Sequence, residues 1–246
     1  MRYKIELAYN GTRYAGWQIQ PNAPTVQEVI DKALSTVCNQ PIETIGCGRT
    51  DAGVHAKFFV AHFDGPETLP TDLAHRLNKM LPSDIHIMST SNCNPDFHAR
   101  FDATLREYEY HIQPKKDPFA PNTFWWNAQA FDLTSMNQCA AMLVGERSFI
   151  AFCKGEAPNN NPNCTVFKAY WQSTDRGYVF TIQANRFLRN MVRAIVGTLL
   201  EVGMGKMSVS DFQHILFNGN RSDAGASVPA EGLYLTQVTY PSVSRD

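Results

Sequence analysis

The chain has 246 residues, 43% of them hydrophobic, which is enough to bury one large core or two smaller ones. Charged residues make up 18% and the formal net charge is −1, so the chain is not basic overall, as many nucleic-acid-binding proteins are. Affinity for nucleic acid would have to come from local clustering of arginines and lysines, not from their sum. No apolar run approaches the roughly 18 residues that span a bilayer, and Met1 leads straight into the alternation Arg2-Tyr3-Lys4-Ile5-Glu6-Leu7. No membrane association and a cytoplasmic location are therefore expected. The cysteines, Cys38, Cys47, Cys93, Cys139, Cys153 and Cys164, form no CxxC pair. They are expected to be free thiols, with no metal site among them.

In chain order, residues 2–9 alternate as a strand with Tyr3, Ile5, Leu7 and Tyr9 on one face. After a loop, Thr25 and Glu28 have the spacing of a capping box. The stripe Val26, Val29, Ile30, Ala33, Leu34 and Val37 predicts the helix behind it. Residues 57–63 read as a buried strand, Thr71 as the cap of a short helix ending before Pro82, and residues 85–90 as a strand. Around residue 100 the pattern starts again. Residues 105–113 alternate, with Tyr108, Tyr110 and Ile112 on one face, and Pro114 to Pro121 interrupt. A helix is expected over 134–144, a loop over 154–164, and a hairpin of strands 165–173 and 177–184. A long helix is expected over 186–201, a shorter one from Ser208 to Gly219, and a last strand over 233–240. This is an α+β protein of two helix-backed halves, residues 1–103 and 104–246.

One segment stands apart: Gly46-Cys47-Gly48-Arg49-Thr50-Asp51-Ala52-Gly53-Val54-His55-Ala56. Its glycines mark backbone that needs positive φ or close approach. Its spacing fails as GxGxxG, and a carboxylate at the centre of a phosphate cradle makes poor physical sense. Two readings stay open on the loop alone. It is a tight turn with Asp51 paired to Arg49, or a rigid loop presenting Asp51 as nucleophile or base. His55 and His62 show no ligand spacing and read as structural, and Trp17 either packs the first loop or meets RNA.

The string Gly48-Arg49-Thr50-Asp51-Ala52-Gly53-Val54-His55-Ala56 resembles the active-site loop of the tRNA pseudouridine synthase A family. Further segments agree in order: Tyr9-Asn10-Gly11 with Gly16-Trp17-Gln18, Thr25-Val26-Gln27, Asn78 with Leu81-Pro82 and Asp84-Ile85, and Phe97-His98-Ala99-Arg100-Phe101. In the second half they are Arg106-x-Tyr108-x-Tyr110, Phe187-Leu188-Arg189-Asn190-Met191-Val192-Arg193 with Val196-Gly197, and Pro229-Ala230-Glu231-Gly232-Leu233-Tyr234-Leu235. The resemblance implies two ferredoxin-like (RRM-like) halves with mainly antiparallel sheets joined into one surface, helices on one side and a central cleft. It implies an isomerase that detaches uracil from C1′ of a tRNA uridine and rejoins it through C5, with no cofactor, in a homodimer. It implies the anticodon stem-loop, positions 38 to 40, as target. Asp51 carries over as the catalytic carboxylate, Arg193 as its ion-pair partner and Tyr108 as the active-site tyrosine. Alternation alone leaves Tyr108 and Tyr110 equivalent. Asn10 stands where the family usually has Asp, and the Asn-rich loop 154–164 stands where relatives more often carry basic residues.

Arg186, Arg189 and Arg193 follow the spacing i, i+3, i+7, which on a helix places them within roughly 60° of one another. The sequence therefore predicts an arginine stripe for tRNA phosphates, with Arg49 and Arg106 as further substrate contacts and Lys57 and Arg100 as possible extensions of the patch. The competing readings are a non-catalytic RNA-binding protein on the same scaffold and a hydrolytic glycosidic enzyme. The first needs no carboxylate among phosphates. The second usually needs a paired second carboxylate, which the loop does not offer.

Overall fold

The computed structural model describes residues 1–115, the backbone of 124–125, and residues 131–241. Most of the Pro114–Pro121 stretch lies outside the described residues. The chain forms two compact units: Met1–Thr104 with the chain from Tyr234 onward, and Leu105–Leu233.

The first unit begins with β1 (Arg2–Tyr9), whose strict alternation buries Tyr3, Ile5, Leu7 and Tyr9. α1 (Val26–Cys38) buries Val26, Ile30, Ala33 and Leu34 along the expected stripe. Only half of its capping box forms. Thr25 Oγ1 accepts from the Glu28 amide at 3.4 Å, while the Glu28 carboxylate turns to Lys32 one turn on. A two-residue strand, β2 (Ile45–Gly46), precedes β3 (His55–Asp64). α2 (Leu73–Met80) starts from Asp72 and not from Thr71, and the Asp72 carboxylate accepts from the Arg76 side chain. β4 (Ile85–Asn92) completes the half. β1 lies between β3 and β4 and is antiparallel to both, and α1 packs against α2.

The second unit opens with β5 (Leu105–Gln113), beside which β6 (Phe124–Trp125) runs parallel. After α3 (Leu133–Met142) come β7 (Gly145–Ser148), β8 (Asn163–Thr174) and β9 (Gly177–Ala184). Their order, β5-β9-β8-β7, is antiparallel throughout. The segment 154–164 is not loop throughout. It holds a 3-10 turn at Pro158–Asn160 and the start of β8, and Asn159 and Asn160 take positive φ, which asparagine tolerates.

α4 (Met191–Gly203) is the core of this unit. It buries residues on every side, from Met191 to Gly203. It starts five residues later than the periodicity suggests. Asn190 sits at φ 63°, ψ 7°, a left-handed conformation that ends helical hydrogen bonding on its N-terminal side. The expected arginine stripe therefore does not exist: only Arg193 lies on the helix, while Arg186 and Arg189 belong to the non-helical chain before it. α5 (Val209–Asn218) follows with a complete capping box between Ser208 and Asp211.

The last strand, β10 (Leu233–Thr239), pairs in parallel with β3 through Tyr234–His55 and Leu235–Ala56. The architecture is α+β with mainly antiparallel sheets, in two helix-backed halves of ferredoxin-like character. No helix among the described residues is long and apolar enough to cross a membrane.

Candidate active site

Asp51 sits half-buried on the loop between β2 and β3, and the neighbouring segment 10–18 holds that loop at several points. The Tyr9 hydroxyl and Thr50 Oγ1 share a buried hydrogen bond of 2.9 Å. The Gly53 amide donates to the Tyr14 carbonyl at 3.2 Å, and the Gly11 amide donates to His55 Nδ1 at 3.0 Å. Below the loop, the Cys47 amide donates to the Val60 carbonyl at 2.8 Å.

The backbones approach too closely for side chains. A Cβ on Gly16, which has φ +93°, would land on the Thr50 carbonyl oxygen, and one on Gly11 would land on that of Val54. Segment 10–18 is tied in turn to the start of α1: the Val26 and Gln27 amides donate to the carbonyls of Gly16 and Trp17. Trp17 is 2% exposed and stacks on Phe59 with ring centroids 4.1 Å apart, so it packs this segment and does not face RNA. The result is a carboxylate on a backbone that has little freedom to move.

Arg49 differs from its neighbour. It is exposed, and its guanidinium makes no hydrogen bond or ion pair among the described residues. The tight-turn reading, in which Arg49 pairs with Asp51, has no such pair here.

His55 and His62 are buried, and each uses Nδ1 to accept from a backbone amide, of Gly11 and Ala99 respectively. His55 also stacks on Tyr234 at 4.7 Å. Burial lowers the pKa of His62 to about 4, so it is a neutral acceptor at physiological pH.

In the second unit, β5 separates its two tyrosines. Tyr110 is fully buried and its hydroxyl donates to the Pro229 carbonyl at 2.9 Å; burial pushes its pKa upward. Tyr108 is only half-buried and meets the edge of Phe187 at 5.2 Å, with the rings nearly perpendicular. Arg106 donates to the Asn185 carbonyl at 2.8 Å, and Asn185 Oδ1 accepts from the Thr165 amide at 2.9 Å.

Arg106, Tyr108, Arg186 and Phe187 are thus gathered where β5 meets the segment leading into α4. Arg189 is exposed, and its carbonyl accepts from the Lys154 amide. Arg193, in the first turn of α4, donates from Nε to the Val228 carbonyl at 2.7 Å, which fixes the guanidinium's orientation. Cys153 and Cys164 are buried free thiols. Burial raises both pKa values, that of Cys164 to about 11.

Sequence reasoning did not single out Tyr9, Gly11 and Gly16 as the holders of the Asp51 loop, or Phe187 as the neighbour of Tyr108. The signal for the first group was present in Tyr9-Asn10-Gly11 and Gly16-Trp17-Gln18, whose glycines have no local turn that explains both.

The structure is an α+β scaffold with one half-buried carboxylate, Asp51, on a firmly held loop. The comparisons with known proteins show the family. A family model described as tRNA pseudouridine synthase matches residues 7–102 and 139–241. The chain is 48% identical over 246 residues to a "tRNA pseudouridine synthase A" of Porphyromonas gingivalis, covering 98% of both chains. It is 49% identical over 243 residues to the protein of that name from Bacteroides fragilis, covering 98% of this chain and 96% of the other. A more distant relative of the same name, from Exiguobacterium sibiricum, is 36% identical over 241 residues, covering 98% and 97%. The chain belongs to the tRNA pseudouridine synthase family, isomerases that convert uridine to pseudouridine.

Proposed function

We propose that this protein isomerises uridine to pseudouridine in the anticodon stem-loop of tRNA, at positions 38 to 40, with Asp51 as the nucleophile. The observation that carries the reading is the half-buried Asp51 on a loop bonded to Tyr9, Tyr14 and Val60, in a chain that matches its relatives over nearly its whole length. The N1–C1′ bond of uridine breaks, the uracil turns over, and C5 bonds to C1′. The proton lost from C5 is balanced by one gained at N1, so no atom enters or leaves overall and no cofactor is required. Asp51 serves this by holding the separated sugar at C1′, by adding to C6 of the base, or by abstracting a proton to start a glycal route. All three need an ionised carboxylate on a fixed backbone.

Arg193 is assigned the charge that keeps a carboxylate ionised, a role that suits a guanidinium already oriented by the Val228 carbonyl. Tyr108, with its half-open ring, is assigned stacking on the extruded uracil, its hydroxyl near the departing C5 proton. Arg49, Arg106, Arg186 and Arg189 are assigned to tRNA phosphates. The enzyme works as a cytoplasmic homodimer on this reading.

The test maps pseudouridine in tRNA from cells lacking the protein, complemented with wild type or Asp51→Ala. Asp51→Ala is expected to restore no site while its affinity for tRNA stays within about threefold of wild type, the mark of a group that acts in the transition state and not in binding. Restoration of every site by Asp51→Ala would overturn the assignment.

A further inference from the structure

The turn between β4 and β5 is built with unusual care for a surface turn. His98 Nδ1 accepts from the amides of both Arg100 and Phe101, each at 3.2 Å. The Asp102 carboxylate accepts from the His98 amide at 2.8 Å, and the Asp102 amide donates to the His98 carbonyl at 3.0 Å. From below, the Ala99 amide donates to buried His62 Nδ1 at 3.1 Å, and the Tyr240 hydroxyl donates to the Ala99 carbonyl at 2.7 Å. These bonds engage every backbone amide from His98 to Asp102 and the carbonyls of His98 and Ala99.

What the turn presents is Phe101, which is 73% exposed, the most of any large hydrophobic residue among those described. Its ring lies 4.2 Å from that of His98, and the Arg100 guanidinium sits 5.5 Å from its centroid. Folding gains almost nothing from a phenylalanine left in water, so stability does not explain a rigid mount for it. A single exposed ring offers far less area than a protein partner needs. A flat aromatic face beside a cation matches a nucleobase, which stacks on the ring while its phosphate meets the arginine. A base inside a duplex has both faces covered, so the partner must be unpaired.

We propose that Phe101, with His98 and Arg100, is a stacking platform for one unpaired base of the tRNA substrate. Phe101 is not among the residues assigned to the reacting uridine, and the proposal rests on the reading of the chain as a tRNA-modifying enzyme. The platform acts in binding and leaves the chemical step alone.

The test uses the full-length protein with Phe101→Ala, Phe101→Trp and Phe101→Leu. Each variant is measured for tRNA affinity by filter binding and for pseudouridine formation on the same transcript. Phe101→Ala is expected to weaken binding and raise KM about tenfold, the usual scale for losing one base–aromatic stack, with kcat within about twofold. The melting temperature should stay at the wild-type value because the ring is exposed. Phe101→Trp should restore affinity and Phe101→Leu should not. Wild-type affinity in Phe101→Ala overturns the platform, and so does rescue by leucine, which would mark a generic apolar contact. A wild-type protein that forms no pseudouridine in any tRNA would instead defeat the functional reading. Binding is measured without turnover, so it still decides the platform in that case.

Discussion

Two short segments carry much of the charge assigned to function, and they are built in opposite ways. The loop from Gly46 to Val54 is held from outside: it shares a hydrogen bond with the Tyr9 hydroxyl and donates to the carbonyls of Tyr14 and Val60, and two glycines elsewhere in the chain lack side chains where the backbones touch. The segment from Asn185 to Asn190 is shaped mainly from within, by one left-handed residue at Asn190 and by the carbonyls of Asn185 and Arg189 accepting from Arg106 and Lys154. On the proposed reading a carboxylate that acts at the reacting centre needs the first construction, because an ångström of misplacement there costs about a hundredfold in rate. Arginines assigned to phosphates would tolerate the second, because long side chains near a turn can adjust to their partners.

The sharpest way to break this comparison is Gly16→Ala. The new Cβ would meet the Thr50 carbonyl in a backbone already at φ +93°, so the loop must shift or the segment 10–18 must swing away. The expected result is a kcat reduced about a hundredfold or more in a protein that still folds. Gly205→Ala is the matched control: its φ is +69°, but a Cβ there meets nothing within 4 Å. It should lose a little stability and no activity. Steady-state kinetics on both variants decide the matter. A Gly16→Ala enzyme with wild-type kcat would mean that segment 10–18 does not position Asp51.

The second test concerns the other segment. Because Asn190 sits in the left-handed region, Asn190→Ala should cost about 1–2 kcal/mol, seen as a lower urea midpoint at unchanged slope. Asn190→Gly should cost less, since it loses only the 2.5 Å hydrogen bond from Asn190 Nδ2 to Ser227 Oγ. A helix running through 186–201 would reverse the order, because alanine favours a helix interior and glycine does not. An Asn190→Ala protein more stable than wild type would restore the helix and, with it, the arginine stripe.

The same contrast explains what the sequence made legible. Alternation in β1 and the apolar stripe of α1 are readable because burial acts on each residue separately and leaves a period, whereas β5 buries only Tyr110, Ile112 and Gln113. The loop around Asp51 was readable because its glycines and its motif are contiguous. Its clamps were not, since Gly11 and Gly16 are required by a carbonyl some forty residues away. The start of α4 was misread for the opposite reason. The apolar spacing of Leu188, Met191, Val192 and Ile195 continues smoothly across Asn190, and periodicity carries no sign of one residue at positive φ. Tyr108 and Tyr110 share a face, and what separates them is Pro229, whose carbonyl accepts the Tyr110 hydroxyl.

The smallest effect belongs to Arg189. With the stripe gone, Arg189 can no longer be placed by the helix face of Arg193; it is an exposed side chain on a turn tied to Lys154. If it still meets a tRNA phosphate, Arg189→Ala should weaken binding a few-fold at moderate salt and lower the slope of log affinity against log salt by about one. The slope is the decisive reading, since a change in affinity alone could follow from a disturbed turn, whereas fewer released counterions follow only from a lost phosphate contact. An unchanged slope would make Arg189 a solvated charge. The phosphate contacts of the second unit would then fall to Arg106 and Arg186, both half-buried beside Tyr108 and Phe187, and the region that reads the backbone would be narrower than the arginine spacing suggests.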